Sequence, residues 1–361
     1  MDGVIEAGAR AEYGSCIKDA AERIRDAQAL KGARILVTGA SGMIGGAVTR
    51  TLLYLNRTRE LGLSVLCPVR SLDSAKSRLF GILGRGEACV FEADIESALD
   101  IDGEIDYILH AAAVTDSREM SAHPARTLMS SVNACAALLT LAREKQVRGM
   151  VYVSSMEAYG VMNGVAREGC EGSIDLSSPR SCYPESKRLN ELNCVCHARE
   201  YGVKVCSARL AQTVGAGARA EDRRVFCEFA RAALDGKALV LRTAGESNGN
   251  YVHISDCVSA LVTLLMRGVS GETYNVCGDG CTLKIKQLAQ LISDLLSGGR
   301  AKVEFDVPAD ARSLPYAPDT GIILDNTKLK ALGWTPGHSI NEAVLSLGAD
   351  ISELKSCRNT E

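Results

Sequence analysis

The sequence lacks an excess of charge of either sign. Its 41 lysines and arginines nearly balance 44 aspartates and glutamates, for a formal net charge of −3. That gives no electrostatic reason to expect a nucleic-acid partner, since phosphate backbones call for a basic face. No apolar run is read as long enough to span a bilayer, which takes about 20 residues. The opening stretch "MDGVIEAGARAEYG" has neither the basic nor the apolar region of a signal peptide. The expectation is a cytoplasmic chain with no nucleic-acid or membrane partner. No internal repeat stands out. Cysteine is plentiful, at 14 residues, but paired C-x-x-C spacing is missing. Cys67, Cys135, Cys206 and Cys257 fall inside expected elements, where a reduced thiol packs as a small hydrophobe. The densest cluster is "CVCH", with Cys194, Cys196 and His197. No second pair answers it, so no metal site is expected.

What is present is a globular composition, 46% hydrophobic and 24% charged, in 361 residues. Residues 16–30 place Ile17, Ala20, Ile24 and Ala27 on one helical face, so residues 1–31 read as an N-terminal helical extension. Next, "ARILVTGASGMIGGAVTRTLLYL" reads as strand, glycine-rich turn and helix. Apolar strands recur at 63–69, 88–94, 105–113, 149–155 and 203–210, separated by helix-like stretches that include 124–145 and 185–201. Continuous apolar strands alternating with helices predict an α/β, doubly wound parallel Rossmann sheet covered on both faces. Ligands of such sheets bind at the carboxyl ends of the strands. The Rossmann domain is expected over 32–211. Helices near 223–235, 255–267 and 284–296 and strands near 238–242, 251–254 and 272–276 follow. They predict a smaller, mixed substrate-binding sub-domain over 212–350, partly interleaved with the first. Residues 351–361 are expected to fray.

Gly39, Gly42 and Gly45 stand in G-x-x-G-x-x-G spacing after the strand "RILVT". The turn they make, with Ser41, Met43 and Ile44, leads into a helix whose first N–H groups suit a pyrophosphate. The strand before and helix after make this a dinucleotide site. The second strand closes on Val69-Arg70-Ser71, with no acidic residue for the adenosine ribose. The Arg70 guanidinium can clamp a 2′-phosphate, stack on adenine or stay in solvent. The cofactor reading is NAD(P), with NADP favoured over NAD. Asp94, ending the third strand, is placed at the adenine amine.

"SCYPESKR" sets Tyr183 four residues before Lys187. By itself this is a helical surface pair, a half-buried tyrosine or a catalytic couple. With "TGASGMIG", "HAAA" at 110–113, "SSMEAYG" at 154–160, "YNVCG" at 274–278 and "LGWTP" at 332–336, it carries a resemblance. From about residue 32 to 347 the chain resembles the extended short-chain dehydrogenase/reductase family of nucleotide-sugar epimerases, dehydratases and decarboxylases. "SPRSCYPESKR" and "RVFCEFAR" are most similar to the UDP-glucuronate decarboxylase branch. The resemblance implies that Tyr183 takes a proton from a sugar hydroxyl while hydride leaves to the cofactor. Lys187 and the nicotinamide would lower the phenol from its ordinary pKa of about 10. Lys187 would also hold the ribose, Ser155 the reacting oxygen, and Ala111 and Ala112 would line the cofactor. The helix at 124–145 and the one after Tyr183 would form a homodimer interface.

The sequence departs from this family at three places. Gly249 stands where an arginine usually grips the substrate diphosphate. Arg224, Arg242 or Arg312 is left to supply a guanidinium, with Arg224 and Arg312 taken as substrate-binding candidates. Val214 and Ala216 replace a usual tyrosine and proline. Met156 stands where a 4,6-dehydratase has an aspartic acid, and a thioether donates no proton. Glu157 is retained, either to assist at sugar C5, to orient the sugar, or only to position its loop. The expected function is a nucleotide-sugar enzyme working by transient C4 oxidation, of epimerase or decarboxylase type and not a 4,6-dehydratase. An NADPH-dependent carbonyl reductase and an idle cofactor-binding protein remain as alternatives.

Overall fold

The computed structural model describes residues 11–75, 79, 88–308 and 318–358. Seven strands form the central sheet: β1 (Arg34–Thr38), β2 (Ser64–Val69), β3 (Ala88–Glu92), β4 (Tyr107–His110), β5 (Gly149–Ser155), β6 (Val205–Leu210) and β7 (Thr273–Val276). Their order is β3-β2-β1-β4-β5-β6-β7, and every pairing is parallel. The order reverses between β1 and β4, which is where doubly wound sheets open a crevice at their carboxyl ends. The strand expected near 272–276 belongs to this sheet as its edge, not to the smaller sub-domain. A short apolar run carries no local mark of which sheet it will join.

Alternate side chains of each strand supply two cores. One face buries Ile35, Val37, Val65 and Val151 under α1 (Ala11–Arg23) and α2 (Met43–Thr58). The other buries Leu36, Ile108, Met150 and Tyr152 under α3 (Pro124–Glu144) and α4 (Cys182–Tyr201). Ile17, Ala20, Ile24 and Ala27 are all buried, as their spacing predicted. The helix they mark does not stand ahead of the fold, however. It shares the core of β1 and of a later helix, α6 (Ile254–Arg267), and Cys16 O accepts from Ser255 Oγ at 3.0 Å.

By length and composition alone, α3 is apolar enough to cross a membrane, which corrects the reading that no run is. Here its Cys135, Leu138 and Leu139 are buried in the core shared with β4 and α4. All fourteen cysteines are unpaired. Cys194 is buried in the same core cluster as Cys135, whereas Cys196 is exposed, so "CVCH" does not converge.

The smaller region packs α5 (Val225–Leu234), α7 (Ile285–Ser297) and α8 (Ile340–Arg358) around Phe226, Leu288 and Val344. A three-stranded sheet of Gln212–Val214, Asn248–His253 and Thr282–Lys284 links it to the site. α8 continues into the stretch expected to fray, as far as Arg358, and Ile351 is buried in this core.

Candidate active site

The glycine turn lies between β1 and α2. Gly39 has φ +74°, and a Cβ there would fall 2.8 Å from Ala112 N and 2.9 Å from the Ala111 carbonyl carbon. A Cβ on Gly45 would fall 2.4 Å from Gly39 O. Both positions therefore exclude side chains, and the turn closes on itself through Gly42 N to Gly39 O at 2.8 Å. Gly42 caps α2 with no side-chain hydrogen bond, and the first turn, Met43 to Gly45, carries no acidic residue. Its N–H groups meet neither a capping oxygen nor a competing carboxylate, so the turn fits a dinucleotide pyrophosphate. Ser41 is half-buried on the same turn. Ala111 and Ala112 flank Gly39, and Ala112 N donates to Thr38 Oγ1 at 3.3 Å. Arg70 is exposed one residue past β2. Asp94 is exposed two residues past β3 and accepts from Glu96 N at 3.0 Å, so its carboxylate already shapes a turn.

Ser155 ends β5, and Tyr183 and Lys187 lie one turn apart at the start of α4. The three do meet. The Ser155 hydroxyl lies close enough to the Tyr183 phenol to favour its ionised form. Ser155 Oγ also caps a 3₁₀ turn by accepting from Glu157 N at 3.2 Å. Lys187 is buried at 3% exposure, and its Nζ donates to Val153 O at 2.8 Å. It lies 4.9 Å from the Tyr152 ring centroid and 5.6 Å from that of Tyr183.

The electrostatics correct one expectation. Burial, with the Glu157 charge behind it, pushes the Tyr183 phenol up, and the nearby Ser155 hydroxyl and Arg180 only partly offset this. Lys187 does not pull it down. Burial lowers the ammonium itself to about 8, and its hydrogen bond goes to a carbonyl. In the protein alone the phenol keeps its proton at neutral pH. A nicotinamide ring bound here would bring the further positive charge that favours phenolate.

Behind this surface runs a buried polar scaffold that sequence reading missed. Glu191, one turn beyond Lys187, takes Arg209 from β6 through both oxygens at 2.7–3.1 Å and Ser154 Oγ at 2.5 Å. Asn190 donates to Tyr152 Oη at 3.0 Å and to Ser131 O at 3.1 Å. Arg188 reaches Ala158 O, Tyr159 O and Gly172 O at 2.6–2.9 Å. Arg188, Asn190 and Glu191 of one helix thus fix it to β5, β6, α3 and the following loop. Arg180 was missed as well, although it stands in the quoted "SPRSCYPESKR". It pairs with Glu157 at 2.9 Å and lies 5.8 Å from the Tyr183 ring centroid.

The substrate-binding candidates fare differently. Arg224 is held by Asp222 through both carboxylate oxygens and by Thr213 O, with Nη2 3.0 Å from Met43 Sδ. It reaches the glycine turn, but with its charge neutralised. Arg242 pairs with Asp306, both exposed, and Arg312 lies outside the described residues. Val214 and Ala216 are fully buried core positions. Met156 is half-buried against the core.

Gly249 has a physical reason. On a strand, residues two apart share a face. The Tyr251 ring, fully buried, folds back over Gly249, so that a Cβ there would fall 2.1 Å from Tyr251 Oη. The arginine is excluded by a tyrosine in its space.

Comparison with known proteins identifies the family. The pattern of the "NAD dependent epimerase/dehydratase family" matches residues 35–277. The chain belongs to that family. It is accordingly an NAD-dependent enzyme. The UDP-glucuronic acid decarboxylase 1 of Danio rerio is 28% identical over 312 residues, 86% of this chain and 71% of that protein. The dTDP-glucose 4,6-dehydratase DesIV of Streptomyces venezuelae, solved with NAD bound, shares the fold at TM-score 0.75 and 24% identity, covering 90% of this chain and 98% of that one. So does the UDP-glucuronic acid 4-epimerase of Bacillus cereus, solved with UDP-glucuronic acid and NAD, at TM-score 0.74 and 19% identity, covering 89% and 99%.

Overpacking a closed core costs about 1–3 kcal/mol. Gly249→Ala is expected to lower the melting temperature by several degrees and Gly249→Arg by more. An unchanged melting temperature for Gly249→Arg would show that Tyr251 swings aside freely.

Proposed function

We propose that this enzyme oxidises C4 of a nucleotide sugar, then epimerises the ketone or releases a C5 carboxylate, and finally reduces C4 again. The observation that carries this is the meeting of Ser155, Tyr183 and Lys187 at the carboxyl end of β5, in a family-wide dinucleotide fold. When bound at the glycine turn, NAD would accept the hydride and return it. Tyr183 takes the proton of the C4 hydroxyl, Ser155 hydrogen-bonds that oxygen, and Lys187 steadies the ribose. With a uronate, the C4 ketone makes the C6 carboxylate a β-keto acid. It loses carbon dioxide, and a proton then restores C5. The likeness to UDP-glucuronic acid decarboxylases over 86% of the chain supports the sugar class. Met156 in place of a proton donor argues against loss of the C6 hydroxyl.

Incubation with UDP-glucuronate, UDP-glucose and dTDP-glucose, read by mass spectrometry and chromatography, tests this reading. An isomer, or a product lighter by carbon dioxide, is expected. A product lighter by one water would contradict the reading of Met156. Tyr183→Phe should stay folded and lose about 10²–10⁴-fold in turnover, the usual contribution of a general base. Wild-type turnover in that variant would refute the assignment.

Arg70, exposed at the end of β2, supports acceptance of a 2′-phosphate and hence NADP as well as NAD. Arg70→Ala is then expected to weaken NADP(H) more than NAD(H) in a fluorescence titration. Equal losses would remove the preference. We also propose a homodimer through α3 and α4. Met129, Leu189 and Leu192 on these helices are 52%, 47% and 58% exposed, an apolar face that a second copy would cover. A monomer in light scattering at micromolar concentration would contradict it.

A further inference from the structure

Lys187 is a buried ammonium without a counter-ion. Among the described residues its only hydrogen bond goes to Val153 O at 2.8 Å, and it forms no ion pair. Glu191, one turn further along α4, is taken up by Arg209 at 2.7 Å, and Glu157 by Arg180 at 2.9 Å. A buried charge needs compensation from its surroundings. Here the surroundings offer two rings, with centroids 4.9 Å (Tyr152) and 5.6 Å (Tyr183) from Nζ. Both lie inside the reach, about 6 Å, at which a ring face attracts a cation. Tyr183 changes its own charge in the proposed reaction, so it is no constant partner. Tyr152 is, because it stands on β5 at 1% exposure and takes no part in the chemistry. Asn190 donates to its Oη at 3.0 Å. His110 packs on its ring at 5.6 Å between centroids, with Nδ1 2.8 Å from Thr38 Oγ1. Burial keeps that imidazole neutral, so it brings no second cation to the ring. Asn190 at one end and His110 on the ring leave Tyr152 little freedom to turn away from Lys187.

We infer that Tyr152 is a positioning residue for Lys187: its ring takes the place of a counter-ion, holding the ammonium beside Tyr183 and keeping it charged. The inference rests on the role given to Lys187 under the proposed function. A carboxylate in that place would attract the ammonium more strongly. It would also add negative charge beside a phenol that has to ionise. A ring face attracts the cation and carries no net charge. The other titratable groups that face Lys187 are few. Glu191 and Glu157 are paired with arginines, and the neighbouring Cys194 together with burial keeps the Cys135 thiol protonated. Burial leaves the ammonium at about 8, close enough to neutral pH for the loss of one partner to change its charge.

The test is the titration of Lys187 itself, followed by NMR in enzyme carrying carbon-13 at lysine Cε. Its signal is identified by its loss in Lys187→Met. Wild type, Tyr152→Phe and Tyr152→Leu are compared, each checked for folding by its melting curve. Loss of the ring in Tyr152→Leu should lower the midpoint by about one pH unit, a tenfold change in ionisation. Tyr152→Phe keeps the ring and gives up the Asn190 bond, so it should melt earlier with its midpoint unmoved. An unmoved midpoint in Tyr152→Leu overturns the inference and marks a packing role. Equal lowering in both variants also overturns it, since the hydroxyl would then be the cause. If Tyr152→Leu fails to fold, Tyr152→Phe with a fully fluorinated ring carries the test. That ring keeps its shape and reverses its quadrupole, and an unmoved midpoint there overturns the inference. NADH binding, read by fluorescence at about pH 6 and about pH 8, ties the charge to the site. Tyr152→Leu should match Tyr152→Phe at the lower pH and bind up to about fivefold more weakly at the higher, where less of its Lys187 is charged. Equal binding at both, despite a lowered midpoint, overturns the link to the cofactor and the inference with it. If Lys187→Met binds NADH as wild type does, the role given to Lys187 itself fails. If Lys187→Met loses binding while the Tyr152→Leu midpoint stays unmoved, this inference alone fails.

Discussion

The candidate site is organised by the burial of one ammonium group. Lys187 is enclosed between β5 and α4 with a carbonyl as its hydrogen-bond partner and two aromatic rings beside it. That environment lowers its pKa to about 8 and opposes folding while the group is charged. Something must hold α4 in place against this, and the residues that follow Lys187 do so. The Glu191–Arg209 pair, completed by Ser154, is buried and bidentate. Removing one member of such a pair typically costs about 3–5 kcal/mol. Asn190 and Arg188 add bonds to α3 and to the loop after β5. Stability gained along the rest of the helix thus maintains an unfavourable charge at its start, a common arrangement at functional sites.

The same constraint orders the charges around Tyr183. Glu157 and burial hold the phenol neutral in the protein alone, and Arg180 restrains Glu157. His110, buried next to Tyr152 and pushed down to about 3, adds no positive charge at neutral pH. The phenol is therefore poised to ionise only when further positive charge arrives, which couples proton removal to a loaded site. The glycine turn supplies the complementary half. Its close approach to Ala111 and Ala112, with an uncapped α2, leaves backbone donors and no side chain where a pyrophosphate fits.

Much of this was legible in the sequence, because local rules fix it. Continuous apolar runs gave the parallel strands, G-x-x-G-x-x-G gave the turn, and the spacing of Tyr183 and Lys187 survived as one helical turn. What escaped was set by contacts distant in the chain. Thr273–Val276 joins the main sheet through β6. The N-terminal helix enters the core through Ser255 and its apolar face. Arg209 meets Glu191 across two elements. Gly249 looked like a lost function, and only the direction of the Tyr251 ring shows why no side chain fits. Arg180 was visible as a letter three places before Tyr183, but its pairing with Glu157 is a property of packing.

The central claim, that Lys187 is kept as a reluctant buried cation, is tested most directly by the pH dependence of stability in wild type and Lys187→Met. A lysine whose folded pKa lies below its unfolded value near 10.5 penalises the fold fully below about pH 8, and the penalty fades as pH rises from there to 10.5. The melting-temperature difference between the two proteins should therefore shift steadily in favour of wild type across that window. The pH-independent loss of the Val153 hydrogen bond leaves this slope unchanged. A difference that is flat between pH 7 and about 10.5, or that moves in favour of Lys187→Met, would contradict the account.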